Sequence, residues 1–139
     1  MIQIDRIEKE DWDKLSTDAH TAVFNEKRPS SWNRIDYALG IRSGLDIIGF
    51  ATIRELDHES VYWQYGGGIP EFRNSPKMFK GYKAVADYCF ENGVKNIQTL
   101  VENTNVVMLK MAMKIGFLII GTKTLDGKTY VDLYLTKET

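Results

Sequence analysis

Two strand-like runs, VYWQYGGG at 61–68 and NIQTLV at 96–101, flank a helix with sharp boundaries, and this arrangement constrains the chain more than any other feature. The helix is expected over 76–92. Ser75 stands where an N-cap is wanted, Pro76 takes the first helical position, and Asn92-Gly93 supplies a glycine for a left-handed C-cap. Met78, Tyr82, Val85, Ala86 and Cys89 make one apolar stripe, with Lys77, Lys80, Lys83, Asp87 and Glu91 off it. A strand, a helix and a strand in that order close as a right-handed crossover, so the two strands should run parallel.

The remaining strands are joined by tighter connections. Residues 35–42 (IDYALGIR) and 45–54 (LDIIGFATIR) meet at Ser43-Gly44, a tight-turn signal. The short polar segment ELDHES (55–60) then returns the chain to 61–68, so these three strands should be antiparallel neighbours. At the other end, FLIIGTKTL and KTYVDLYLT flank Asp126-Gly127, a strong hairpin turn. Residues 1–7 alternate at Ile2, Ile4 and Ile7 and read as a strand, whereas Trp12, Leu15, Ala19, Ala22 and Val23 have helical spacing over 9–24. NEKRPSSWN (25–33) reads as a loop or a second short helix. Residues 105–115 form a largely apolar helix broken only by Lys110 and Lys114, and a helix that apolar is expected to be buried on most sides. The expected order is β-α-βββ-α-β-α-ββ. It describes one domain over 1–139 of α/β (α+β) class, with a mixed, mostly antiparallel sheet, one parallel strand pair and helices on both faces.

A chain of 139 residues can bury a core without metal or disulfide support. Lys plus Arg is 18 and Asp plus Glu 19, a net charge of -1 that argues against a dedicated nucleic-acid binder. Cys89 is the one cysteine, which rules out an internal disulfide, and the first residues lack the apolar core of a signal peptide. Both features read as cytoplasmic, and no apolar run is long enough to span a membrane. His20 and His58 lack partners at ligand spacing, so no metal site is expected. Cys89, on the apolar stripe, reads as core.

Two segments could carry chemistry. GGGIPEFRNSPK (66–77) leaves a strand and enters a helix N-terminus. Its glycines would let a ligand lie against the backbone, the helix end suits phosphate, and Arg73, Lys77 and Lys80 add charge. The plain reading is a glycine-rich bulge before an ordinary capped helix. In ENTNVVMLKMAMKIGF (102–117) a strand again leads into a helix. There Asn103 or Asn105 can cap the helix, and Met108, Met111 and Met113 read as core filler.

Asn105, followed by Gly116-Phe117, resembles the signature on the last helix of the GNAT superfamily of acyl-CoA-dependent N-acyltransferases. IIGFATI (47–53) is similar to a strand of that family, and IPEFRNS (69–75) to its lead-in to the pyrophosphate loop. The three occur in the family's order over about residues 34–121. The resemblance implies that two parallel strands splay apart and admit the pantetheine arm of acetyl-CoA, the cosubstrate. It implies that the backbone of Gly67, Gly68 and Ile69 pairs with pantetheine, that amides around Asn74, Ser75, Lys77 and Met78, with Arg73, hold the pyrophosphate, and that Asn105 contacts the arm. The chain departs from the pattern twice. RNSPKM carries Asn74, Pro76 and Met78 where glycines are common, and Pro76 lacks an N–H donor. Ala112 stands where the family often has a tyrosine that protonates the leaving thiolate. Another group or solvent then does so, or the site is inactive.

Removal of a proton from an ammonium acceptor needs a base. Glu102 at the mouth of the parallel strands and Glu55 across the sheet are candidates, and Tyr65 could donate a proton. Each also reads as a surface carboxylate or a packed aromatic. The acceptor pocket is expected under the 25–33 loop and over Tyr62 to Tyr65, where Trp32 either closes over substrate or seals the core edge. The leading expectation is direct acetyl transfer to an amine, borne by a small molecule or a protein, with a second copy of the chain as the other partner considered. The alternatives are a non-catalytic acyl-CoA-binding or protein-interaction module on the same fold, and an unrelated α/β fold whose glycines are structural.

Overall fold

The computed structural model describes residues 1–12, 35–68, 72 and 75–137. Seven strands form one mixed sheet in the order β1-β2-β3-β4-β5-β7-β6. They are β1 (Ile2–Glu8), β2 (Tyr37–Ser43), β3 (Asp46–Glu55), β4 (Ser60–Gly68), β5 (Asn96–Glu102), β6 (Leu118–Leu125) and β7 (Lys128–Thr136). Two helices, α1 (Pro76–Glu91) and α2 (Val106–Ile115), complete the regular elements, and residues 9–12 are also helical. The rest of the first helix expected at 9–24 lies outside the described residues. No helix among the described residues is long and apolar enough to cross a membrane.

The turns form where their residues permit the backbone. Gly44 takes a φ of 64° between β2 and β3, and Asp126 and Gly127 take φ of 51° and 77° between β6 and β7, as a two-residue hairpin turn demands. Long crossovers contrast with these turns. α1 connects β4 to β5, and the two strands run parallel as expected; the other neighbouring pairs are antiparallel. β7 inserts between β5 and β6, leaving β6 as the outer edge, where a register shift between Ile119 and Gly121 interrupts it.

The core has two parts. The larger lies on the helix face of the sheet, where Leu39, Ile41, Ile53, Val61, Trp63, Ile97 and Leu133 meet Met78, Tyr82, Val85 and Cys89 of α1 and Met111 and Ala112 of α2. The Trp63 and Tyr82 rings pack at a tilt of 54° with their centroids 5.6 Å apart. The smaller lies on the opposite face, where Trp12, Ile35, Ala38 and Phe50 cluster and the Trp12 and Phe50 rings sit 5.2 Å apart.

The apolar count of α2 misleads about its burial. Met111 and Ala112 are its buried residues, whereas Val106, Val107 and Met113 are exposed. One side of the helix closes the core, and its other sides have no described element packed over them that buries them.

Candidate active site at the splayed strands

The parallel ladder between β4 and β5 holds four residue pairs, from Ser60↔Asn96 to Trp63↔Thr99, and then stops. Beyond it β4 stays paired to β3 as far as Gly49↔Gly68, and β5 to β7 as far as Glu102↔Tyr130. The strands therefore diverge toward their C-terminal ends. Two local features sit at the divergence. Gln64 is an extra residue in β4, since Trp63 pairs with Ile53 and Tyr65 with Thr52, and such a bulge bends a strand. On the other side the buried Thr99 hydroxyl donates to the Trp63 carbonyl at 2.9 Å, at the last pair of the ladder.

Both helices start at the mouth of this gap. Ser75 Oγ accepts the Met78 N–H at 3.1 Å and donates to the Phe72 carbonyl, so Ser75 is the N-cap of α1 as its position predicts. Asn105 Oδ1 accepts the Met108 N–H at 3.2 Å and caps α2. Gly116, with a φ of 117°, ends α2 in the left-handed conformation. The signature asparagine and glycine thus bracket one helix, and Phe117 enters the core.

The glycine run has an internal cause at two positions. A Cβ on Gly66 would lie 2.6 Å from Trp63 Nε1, and one on Gly68 would lie 2.7 Å from Met78 Sδ. Close packing of the protein's own side chains accounts for both residues. The Met78 amide, expected near phosphate, is committed to the Ser75 cap, and the Met78 side chain is buried against Gly68.

The gap gathers most of the residues singled out by sequence. Tyr65, Gly67 and Gly68 lie on β4 past the last parallel pair, and Ser75, Lys77 and Met78 start α1. Glu102 ends β5, three residues before Asn105, whose N–H donates to the Glu102 carbonyl at 2.9 Å. Glu55 is placed apart. It pairs with Val61 beside the closed end of the ladder, and its N–H donates to Asp36 Oδ2 at 2.7 Å. Ile69, Arg73, Asn74, His20, Trp32 and the 25–33 loop lie outside the described residues. Cys89 is buried, and burial pushes its thiol up to about 12, which leaves it unsuited to act as a nucleophile.

Sequence reasoning missed two parts of this region. One is a cleft of about 340 Å³ between α1 and α2, lined by Ser75, Pro76, Phe79, Val106, Val107, Lys110, Met111 and Lys114. The available signal was a pair of lysines one turn apart on an otherwise apolar helix. The other is Asp132, which pairs with Leu100 on the sheet face opposite the helices. Glu102 points to that same face by alternation, two residues along. Both carboxylates are half-buried, and neither has an ion-pair partner among the described residues.

No family model matches the chain, and neither does any curated protein. Solved structures do match. An acetyltransferase from Bacillus subtilis in complex with CoA superposes with a TM-score of 0.75 at 16% identity, over 98% of this chain and 99% of that one. The ribosomal-protein-S18-alanine N-acetyltransferase of Escherichia coli gives 0.76 at 13% identity, over 98% and 94%. An IAA acetyltransferase from Bacillus cereus gives 0.74 at 15% identity, over 98% and 99%. This chain has the GNAT fold. The parallel pair that the resemblance leads one to expect is β4 and β5, whose ladder ends at Trp63↔Thr99. The expected mixed sheet with one parallel pair is the sheet observed.

Proposed function

We propose that the protein is an N-acetyltransferase that carries an acetyl group from acetyl-CoA directly to an amine. The observation that supports this most is the early end of the β4–β5 ladder, which opens the sheet between two capped helix starts. The residues present fit the cosubstrate. A narrow gap suits the thin pantetheine arm, Gly67 and Gly68 on β4 would give it a strand edge, and Asn105 at the head of α2 would reach it from the other side. Ile69 would continue that strand edge. Arg73, Asn74, Ser75 and Lys77 would hold the pyrophosphate where α1 begins, although Pro76 offers no N–H and the Met78 amide is already bonded.

Acetyl-CoA would supply a thioester whose C–S bond breaks as the amine nitrogen bonds to the acyl carbon. Glu102, on the rim of the gap, would take the proton from the ammonium form of the acceptor, directly or through one water. Its half-buried neighbour Asp132 adds a second uncompensated negative charge, so the two would favour a cationic amine over an anionic one. Ala112 is buried in the core, so protonation of the departing thiolate falls to Tyr65 or to solvent.

Acetyl-CoA turnover over a panel of small and peptide amines, read by release of free thiol, tests this reading. Amine-dependent release, greater for cationic amines and lowered at least tenfold in Glu102→Gln, is expected. CoA binding without release over the whole panel would leave a non-catalytic acyl-CoA-binding module as the better description.

A further inference from the structure

The side of α2 that faces α1 sets two lysines beside an apolar wall. Lys110 and Lys114 stand one turn apart on α2 and line the cleft together with Phe79, Val106, Val107 and Met111. Like charges four residues apart repel on a helix. Among the described residues neither lysine has a carboxylate partner; the Lys114 ammonium lies 5.4 Å from the centroid of the Phe79 ring. Val106 and Val107 beside them are 53% and 43% exposed and give the cleft an open apolar surface. Two uncompensated ammonium groups at the edge of an apolar wall match a ligand with a flat apolar ring and a phosphate monoester close to it.

Ser75 and Pro76 line the same cleft, so it is continuous with the start of α1, where the acyl-CoA reading puts the pyrophosphate. We propose that Lys110 and Lys114 seat the ribose 3′-phosphate of coenzyme A, with the nucleoside resting against Val106 and Val107, and that this pair makes the protein select the 3′-phosphorylated carrier over its 3′-dephospho form. The inference rests on the acyl-CoA reading above and adds a specificity that the gap between β4 and β5 cannot supply, since both forms carry the same pantetheine arm. A phosphate monoester bears between one and two negative charges at neutral pH, and two charge-assisted contacts to it are strong.

The test is calorimetric titration of CoA and of 3′-dephospho-CoA against the wild type, Lys110→Ala/Lys114→Ala and Lys110→Arg/Lys114→Arg, with a melting curve for each. The wild type should bind CoA about tenfold or more tightly than the dephospho form. The double alanine variant should lose that preference through weaker CoA binding while its affinity for dephospho-CoA stays unchanged, and the double arginine variant should keep it. Equal wild-type affinity for the two ligands, or a preference that survives in the alanine variant at an unchanged melting temperature, overturns this assignment and leaves the acyl-CoA reading standing. Failure of both ligands to bind the wild type overturns the two together.

Discussion

At Gly66 and Gly68 the missing side chain makes room for the protein's own core. Trp63 is 3% exposed and held between α1 and the sheet, so it has little freedom to yield to a methyl group built 2.6 Å from its indole nitrogen. Gly66→Ala should therefore destabilise the fold by about 1–3 kcal/mol, read as a lower midpoint in denaturant; an unchanged midpoint would mean that Trp63 can move aside. Asn105 caps α2, and the proposed function gives it a second role as a contact of the pantetheine arm. Losing its cap should cost roughly 1 kcal/mol in Asn105→Ala, and the same change should weaken CoA binding more than lost folding explains. Melting temperature and affinity measured on that one variant divide the roles, and intact affinity would leave capping alone. Residues with local jobs were the ones that sequence could read. Ser75, Pro76, Asn105, Asp126 and Gly127 act through their own backbone or that of neighbours within a few positions, so their identity alone points to the turn or cap they make. The cause of Gly68 was hidden, because it depends on where the Met78 sulfur lies in the folded chain.

Elements were legible where period and punctuation agree. α1 has an N-cap, a proline, one apolar stripe and a terminal glycine, and it runs over the residues those signals delimit. α2 gave its position but not its exposure. Apolar density marks burial only when every side of a helix has something to pack on, and here part of the apolar surface lines a cleft beside Lys110 and Lys114. The splay of β4 from β5 was expected from the family resemblance, but the pair at which their ladder ends was hidden for another reason. It depends on Gln64 being surplus to the pairing with β3 and on Thr99 donating to Trp63, and neither residue type signals that in isolation. At the start of α1 a further prediction follows from charge. If Arg73 helps hold a pyrophosphate there, Arg73→Ala loses a charge-assisted hydrogen bond of about 1.5–3 kcal/mol, or roughly tenfold or more in affinity. Titration of CoA against this variant checks it, and unchanged affinity would remove the segment before α1 from the site.

For the molecule as a whole, the topology follows from connection lengths, with one exception. Tight turns forced antiparallel neighbours, and the α1 crossover forced the parallel pair, as expected. The insertion of β7 between β5 and β6 could not be read, because a hairpin signal fixes the pairing of its two strands but not which of them meets the rest of the sheet. That insertion matters for the site. It sets Tyr130 opposite Glu102 and Asp132 opposite Leu100, on the face where an acceptor would approach the gap. The central claim is that the diverging strands admit the pantetheine arm from the helix side and present its thiol to that face. A crystal structure with CoA bound tests it most directly. The arm should lie between Gln64–Gly68 of β4 and Leu100–Glu102 of β5, with its sulfur within about 10 Å of the Glu102 carboxylate, close enough for an acceptor nitrogen and a bridging water. CoA bound outside the gap, or a sulfur farther from Glu102 than that, would contradict it.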